Sequence, residues 1–338
     1  MSVAVVHARG THRAMGRAQG EAFAPGIHAA CTFYRRLAAQ AGRDFHAIGA
    51  QGLPYLDAAR RHVPELVEEL FGLVEGAAIS LEEGLALNCM EEVWDVDACT
   101  TMVHERFFLH AEQWYAQHSG VGVVVADPDD GPSFVSPTCV GFLPAVGMSS
   151  AGFAQGIDSL ASTDARVGIP RVLVSRLALG APGVSAAVAA ACTAGRAGGY
   201  AHSLASAERS LVVETSATSH AVIEGVRAHT NHYLSRDMSP DALPARAGSR
   251  ARLERAQHLL HHDPPAGLED CARLLSDHHG EPETICAHEE GPAGSGTVFA
   301  LACDLVEGTM IVSDGAPCRG EWLELAVPSS DAAARRVG

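Results

Sequence analysis

The chain's hydrophobic texture turns from helical to strand-rich near residue 99, and that change limits it to folds in which a helical N-terminal part meets a strand-rich remainder. The first hundred residues read mainly as helix. From Val63 the apolar residues Leu66, Val67, Leu70, Leu73, Val74 and Ala77 recur at helical spacing, with Glu65, Glu68, Glu69 and Glu75 between them. This predicts one amphipathic helix, on which the run Glu65, Glu68, Glu69 is most simply a solvated face. Ser80-Leu81-Glu82-Glu83 has the form of a capping box, so a second helix should run from about Leu81 towards Met90. After Cys99 the stretches 121–126, 152–157, 210–214, 220–226, 297–303, 309–312 and 322–327 have strand length, and most are rich in β-branched residues. Turn formers such as Asp127-Pro128-Asp129-Asp130-Gly131-Pro132 separate them.

Two further helical stretches interrupt the strands: 170–194, broken near Gly180 to Gly183, and 250–275, broken at Pro264 and Pro265. Helices, strands, helices and strands in that order predict a layered α+β fold, because helices do not alternate one-for-one with strands as in a doubly wound sheet. The 297–303 run is largely apolar on both faces, which predicts a sheet covered on both sides. At 338 residues the chain is long enough for two domains or one large layered one. The end, 329–338, reads as a frayed tail.

A formal charge of -16 repels phosphate backbones and anionic lipid surfaces, so neither nucleic acid nor membrane is an expected partner. No residue is a lysine, so all 24 basic residues are arginine. That absence excludes Schiff-base chemistry on lysine and the phosphate-loop lysine of nucleotide hydrolases. Nine cysteines, an odd number with several in apolar runs, form a reduced pattern. With no leader-like apolar run near the start and none of membrane-spanning length, a cytoplasmic location is the expectation.

The segment with chemical content is Asp97-Ala98-Cys99-Thr100-Thr101, placed where helical texture gives way to strand. A thiol there can attack the preceding carbonyl, convert the amide to a thioester, and leave Cys99 as a new N-terminus once water has cleaved it. Its α-amine, with a reference pKa of roughly 7.7 to 8.0, could then take the proton of its own thiol. Read alone, an inert core cysteine is the commoner explanation of such a segment.

Further motifs raise the segment above that. Arg9-Gly10-Thr11, then Met15-Gly16-Arg17 and Gly20, resemble the opening motif of the acyl-coenzyme A:6-aminopenicillanic-acid acyltransferase family. Residues 97–101 resemble its Asp-Gly-Cys-Thr-Thr processing site, Gly147-Met148-Ser149-Ser150-Ala151-Gly152 its Gly-Phe-Asn-Ser-Ala-Gly turn, and His229-Thr230-Asn231-His232 its His-Thr-Asn-His motif without change. Thr284-Ile285-Cys286 and Gly315-Ala316-Pro317-Cys318 occupy the places expected of its last motifs. The resemblance, from about Arg9 to Val327, implies the four-layer αββα sandwich of N-terminal-nucleophile hydrolases. It implies a helical segment 1–98 and a nucleophile-bearing chain 99–338, cut between Ala98 and Cys99 and staying together as one globular unit. It makes Cys99 the nucleophile, gives the Asn231 amide to the oxyanion, and places Thr101 near the processing centre. Trp114 and Tyr115 become weaker candidates for substrate contact. The activity implied is cleavage or transfer of an acyl group on a small amide or thioester through an acyl-Cys99 intermediate, in secondary metabolism. No cofactor is expected, although acyl-coenzyme A or another acyl thioester could enter as co-substrate.

Three departures accompany the likeness. Glu112-Gln113-Trp114-Tyr115 stands where the family reads Gln-Asn-Trp-Asp, Ala98 stands in place of Gly, and the arginine after Glu289-Glu290-Gly291 is missing. An anionic substrate thereby loses one expected partner. Two alternatives stay open: a strict amidohydrolase of N-acyl or aminoacyl amines, and an unprocessed relative that binds a ligand without turnover. The pairs His261-His262 and His278-His279 lack any recognised metal-ligand spacing and read as surface histidines, so no metal is expected.

Overall fold

A computed structural model describes residues 3–94, 98–115, 120–245, 248–280, 283–288 and 294–327. Asp97, the Glu289-Glu290-Gly291 departure and the 329–338 tail lie outside the described residues. The N-terminal part holds helices α1 (His12–Gln40), α2 (Phe45–Ala50), α3 (Leu53–His62), α4 (Pro64–Ala77), α5 (Leu81–Asn88) and α6 (Met90–Val93). It is not wholly helical, because β1 (Ala4–Gly10) precedes them. Thr11 then caps α1 by accepting from the Ala14 amide at 3.3 Å. The capping box of α5 forms as expected: Glu83 N donates to Ser80 Oγ at 3.2 Å, and Ser80 N to Glu83 Oε2 at 2.9 Å.

The opening glycines of the sequence find their reason in the crossing of α1 and α4. A methyl on Gly16 would meet the Glu69 carbonyl oxygen at 1.9 Å, and one on Gly20 the Leu73 oxygen at 2.3 Å. Gly72 and Gly76 face Arg13 and Arg17 backbone in the same way, at 2.1 and 2.2 Å. Each helix thus presents glycines four residues apart, and backbone packs on backbone.

Glu69 corrects the expectation of a wholly solvated acidic face. It is 2% exposed, and its carboxylate receives Arg176 Nε at 2.9 Å and Nη2 at 3.0 Å, with His12 Nδ1 2.6 Å away. Arg176, buried against the Phe134 ring, supplies the compensating charge that the isolated helix sequence could not reveal. Glu68 does remain exposed.

Two sheets follow. The first has eight strands, in the order β1, β4 (Val121–Pro128), β5 (Phe134–Cys139), β6 (Gly147–Ser149), β7 (Phe153–Leu160), β8 (Gly199–Ser206), β9 (Ser210–Thr215) and β10 (His220–Glu224). The β1–β4 pair is parallel and the others antiparallel. The second sheet runs β11 (Ala228–His229), β2 (Ala98–His104), β3 (Phe107–Tyr115), β12 (Ser295–Asp304), β13 (Thr309–Ser313) and β14 (Trp322–Ala326), antiparallel throughout. Between β7 and β8 lie α7 (Arg171–Leu179) and α8 (Val184–Ala191); α9 (Ser249–His262) and α10 (Leu268–Leu275) precede β12. Both expected helix breaks are present.

The sheets face each other where β2 and β3 meet β7 and where β12 meets β5. Helices α1, α7 and α8 pack on the first sheet, and α9 and α10 on the second, giving the four αββα layers that the resemblance implied. As expected, β12 is buried on both faces beyond its first residue. No helix among the described residues is long and apolar enough to cross a membrane.

Candidate active site

Alternation along β2 and β3 decides which side chains meet. Met102, Leu109 and Ala111 join the core beneath α9 and α10, whereas Val103 and Phe108 join the core between the sheets. By the two-residue period, Cys99, Thr101, His110 and Glu112 share that inner face. The register places Cys99 opposite Glu112 and Thr101 opposite His110. The Cys99 sulfur, a His110 ring nitrogen and a Glu112 carboxylate oxygen accordingly lie within 4.8 Å of one another, with Cys99 2% exposed.

Asn231, just after β11, reaches the same place from 132 residues away. Its Oδ1 accepts from the Cys99 backbone N–H at 2.9 Å and from Arg252 Nη2 at 2.8 Å, while its Nδ2 donates to the Ser159 carbonyl at 3.3 Å. Two donors on one side and a carbonyl on the other fix the orientation of the amide. Arg252, on α9, is itself 2% exposed. Asn231 therefore grips the very nitrogen that a cut before Cys99 would turn into an amine.

A hydrogen-bonded chain runs inward from this cluster. Glu112 Oε2 lies 3.0 Å from His110 Nε2, and His110 Nδ1 lies 2.9 Å from Thr101 Oγ1, which donates to Asp158 Oδ2 at 3.2 Å. Gly156 on β7 makes room for this: a methyl there would stand 2.8 Å from His110 Nδ1 and 3.0 Å from Thr101 Oγ1. Beyond Asp158, His229 has Nδ1 3.4 Å from Asp158 Oδ2 and Nε2 3.0 Å from Glu214 Oε1. Burial alone would lower the His229 pKa, but the two carboxylates on either side outweigh it and raise it to about 9. Glu214 is tied down in turn by the backbone N–H groups of Leu234 and Ser235.

A partly open cavity lies against Glu112 and Trp114, with Glu91, Phe142, Ile157 and Tyr200 among its walls. Burial pushes the Glu91 carboxyl up to about 7 against the pull of Arg171, whose Nε is 3.5 Å away. No arginine is among the described residues lining the cavity.

Of the residues singled out from sequence, Ala98, Cys99, Thr101 and Asn231 come together, and Trp114 reaches the cavity wall. Tyr115 instead packs with Phe33, Tyr34 and Trp114, and its hydroxyl accepts from Trp94 Nε1 at 3.3 Å. The 147–152 motif forms the turn from β6 to β7, with Gly152 at φ 83°, and contributes no side chain to the cluster. Sequence reasoning missed His110, Asp158, Glu214 and Arg252. His110 and Glu112 could have been found as an alternate pair on a strand following a tight turn from Cys99, had 107–115 been recognised as that strand.

A model of the acyl-coenzyme A:6-aminopenicillanic acid acyl-transferase family matches residues 94–318. No curated protein sequence matches the chain. Among solved structures, a mutant of conjugated bile acid hydrolase from Clostridium perfringens is similar at 10% identity and a TM-score of 0.45, covering 68% of this chain and 97% of that one. Penicillin V acylase from Agrobacterium tumefaciens is similar at 14% identity and a TM-score of 0.42, covering 68% of this chain and 86% of that one. The N-acylethanolamine-hydrolyzing acid amidase ortholog of Caenorhabditis elegans is similar at 9% identity and a TM-score of 0.42, covering 68% of this chain and 100% of that one.

Proposed function

Because the chain belongs to the acyl-coenzyme A:6-aminopenicillanic acid acyl-transferase family, we propose that it is a self-processing enzyme whose Cys99 thiol carries an acyl group taken from a small amide or thioester. The observation that carries this reading is the grip of Asn231 on the Cys99 nitrogen at 2.9 Å, beside a thiol grouped with His110 and Glu112.

In the uncut chain that nitrogen is an amide and cannot act as a base. The Glu112 carboxylate, backed by His110, is the group placed to take the thiol proton. The sulfur then adds to the Ala98 carbonyl carbon, the C–N bond breaks, and the nitrogen leaves as an amine after gaining a proton. Water cleaves the resulting thioester, which yields an Ala98 carboxylate and a free Cys99 thiol and amine. In turnover the amine takes the thiol proton, the sulfur attacks the substrate carbonyl, and the leaving group departs with a proton as the acyl-Cys99 thioester forms. The Asn231 amide has a second N–H beyond the one given to Ser159, and this reading assigns it to the oxyanion. Water or an amine then accepts the acyl group.

Carboxylates without a lining arginine disfavour an anionic substrate in the cavity and suit an amine-bearing or neutral one. Acyl-coenzyme A or another thioester fits the reading as donor. A role in tailoring small metabolites, in the cytoplasm and with the two cut chains held together, belongs to the same proposal.

Intact mass under denaturing conditions tests the reading. Two fragments parting before Cys99 are expected, against one full-length chain for Cys99→Ala. Incubation with an N-acyl amide and a competing amine then separates the two acceptors: a new amide marks transfer, free acid alone hydrolysis. Turnover undiminished in Cys99→Ala would overturn the proposal.

A further inference from the structure

Away from the nucleophile, three separate stretches of chain bring four soft donors to one point. His278 follows α10, Cys286 and His288 lie in the connection to β12, and Cys318 lies between β13 and β14. One ligand atom from each falls within 4.8 Å of all the others, with Cys286 buried, His278 and His288 half-buried and Cys318 exposed. The His278 and His288 Nε2 atoms are 2.8 Å apart, their rings lie 18° from parallel, and Cys318 Sγ is 3.4 Å from His288 Nε2.

Hydrogen bonding alone serves this group poorly. His288 Nε2 has either one in-plane lone pair or one proton, yet two partners approach it. A cation at the centre would engage a lone pair from each donor at once. With Zn–S near 2.3 Å and Zn–N near 2.0 to 2.1 Å, a regular tetrahedron sets its ligand atoms roughly 3.3 to 3.8 Å apart. The two imidazole nitrogens need to part by about half an ångström to meet that, and no pair needs to close by more than about one. Two sulfurs and two imidazoles form a donor set that selects zinc over magnesium or calcium, and four protein ligands leave no open position for chemistry.

We propose that His278, Cys286, His288 and Cys318 form a structural zinc site that fastens the α10–β12 connection to the β13–β14 turn. The sequence conceals it because the spacings, seven residues, one residue and twenty-nine residues, match none of the familiar ligand patterns. The connection it fixes also supports the nucleophile's sheet: the Gln113 side chain donates to the Thr284 and Ile285 carbonyls at 2.8 and 3.1 Å, and Gln113 pairs with Ala98. His278 thereby departs from the expected surface role, whereas His261, His262 and His279 are exposed as expected.

Metal analysis of protein purified without chelator should find one zinc per chain. Cobalt substituted for it should give a thiolate-to-cobalt absorption in the near ultraviolet and the intense visible bands of a tetrahedral site. Cys318 is exposed, so Cys318→Ser should fold, yet bind zinc more weakly by over about a hundredfold, since loss of a mere supporting partner costs about 10- to 100-fold. Cys99→Ala should keep the cobalt spectrum, which separates this site from the Cys99–His110–Glu112 group. The proposal is overturned by protein that takes up no zinc on titration, or by a cobalt spectrum lost in Cys99→Ala and kept in Cys318→Ser. It is equally overturned if the denatured, unreduced protein titrates with two thiols fewer than the nine in the sequence, because a Cys286–Cys318 disulfide then occupies the place of the metal.

Discussion

At the scale of single residues, the site is a set of side chains whose partners are far away in sequence. If the Asn231 amide faces the oxyanion, Asn231→Ala should lower kcat by roughly a hundred- to a thousandfold, as loss of one such donor does. It should also slow processing, because the Cys99 N–H loses its acceptor; mass spectrometry against time reads both effects. Glu112→Gln removes the acceptor proposed for the precursor's thiol proton, so its self-cleavage should be slower by about 10²- to 10⁴-fold. Turnover of whatever has been cut should suffer less, since the new amine then serves as base. His229 titrates near 9, well above its ordinary value of 6.5. A raised pKa stabilises the fold fully below the unfolded value and loses that contribution as pH rises through the folded one. His229→Gln should therefore cost stability on the order of 3 kcal/mol at pH 6, with the gap narrowing towards pH 10, as followed by denaturant unfolding. Cys99 and Asn231 were legible in the sequence because their motifs are local. Asp158 and Glu214 were not, since a lone carboxylate on a strand has no pattern until its partner is known.

Elements were the more legible scale. The strands at 121–126, 297–303 and 309–312 and both broken helices needed only a two- or 3.6-residue period and a turn former, all readable within a short window. Strands β3, β5 and β8 escaped because their polar or small residues face another sheet, so burial on both sides blurs the alternation. The crossing of α1 and α4 gives a test at this scale. Alanine is the better helix former by about 1 kcal/mol. Gly16→Ala should nonetheless destabilise, by about 1 to 3 kcal/mol or more, because the methyl meets a carbonyl oxygen at 1.9 Å that a rotamer change cannot move. A raised melting temperature in that variant would contradict the close crossing.

For the whole molecule, the position of β1 matters most. It pairs with β4 over seven residues, from Ala4 with Gly122 to Gly10 with Pro128, and α1 packs on the same sheet. A chain cut before Cys99 should thus give two bands on a denaturing gel and one peak in native size exclusion. Fragments that part without denaturant would show that the first sheet does not need its parallel edge strand. Cleavage would also make β2 begin at Cys99, whose strand partner Glu112 lines the cavity.

The sequence by itself determined which kinds of element form, where helical texture stops, and which cysteine stands at that boundary, because propensity and period act over a few residues. Only the tertiary structure decided that Glu69 is buried on Arg176, that Asn231 holds the Cys99 nitrogen, and that two histidines and two cysteines converge beyond α10. Each of these contacts depends on strand register and layer packing across long stretches of chain, and no local window of sequence carries that information.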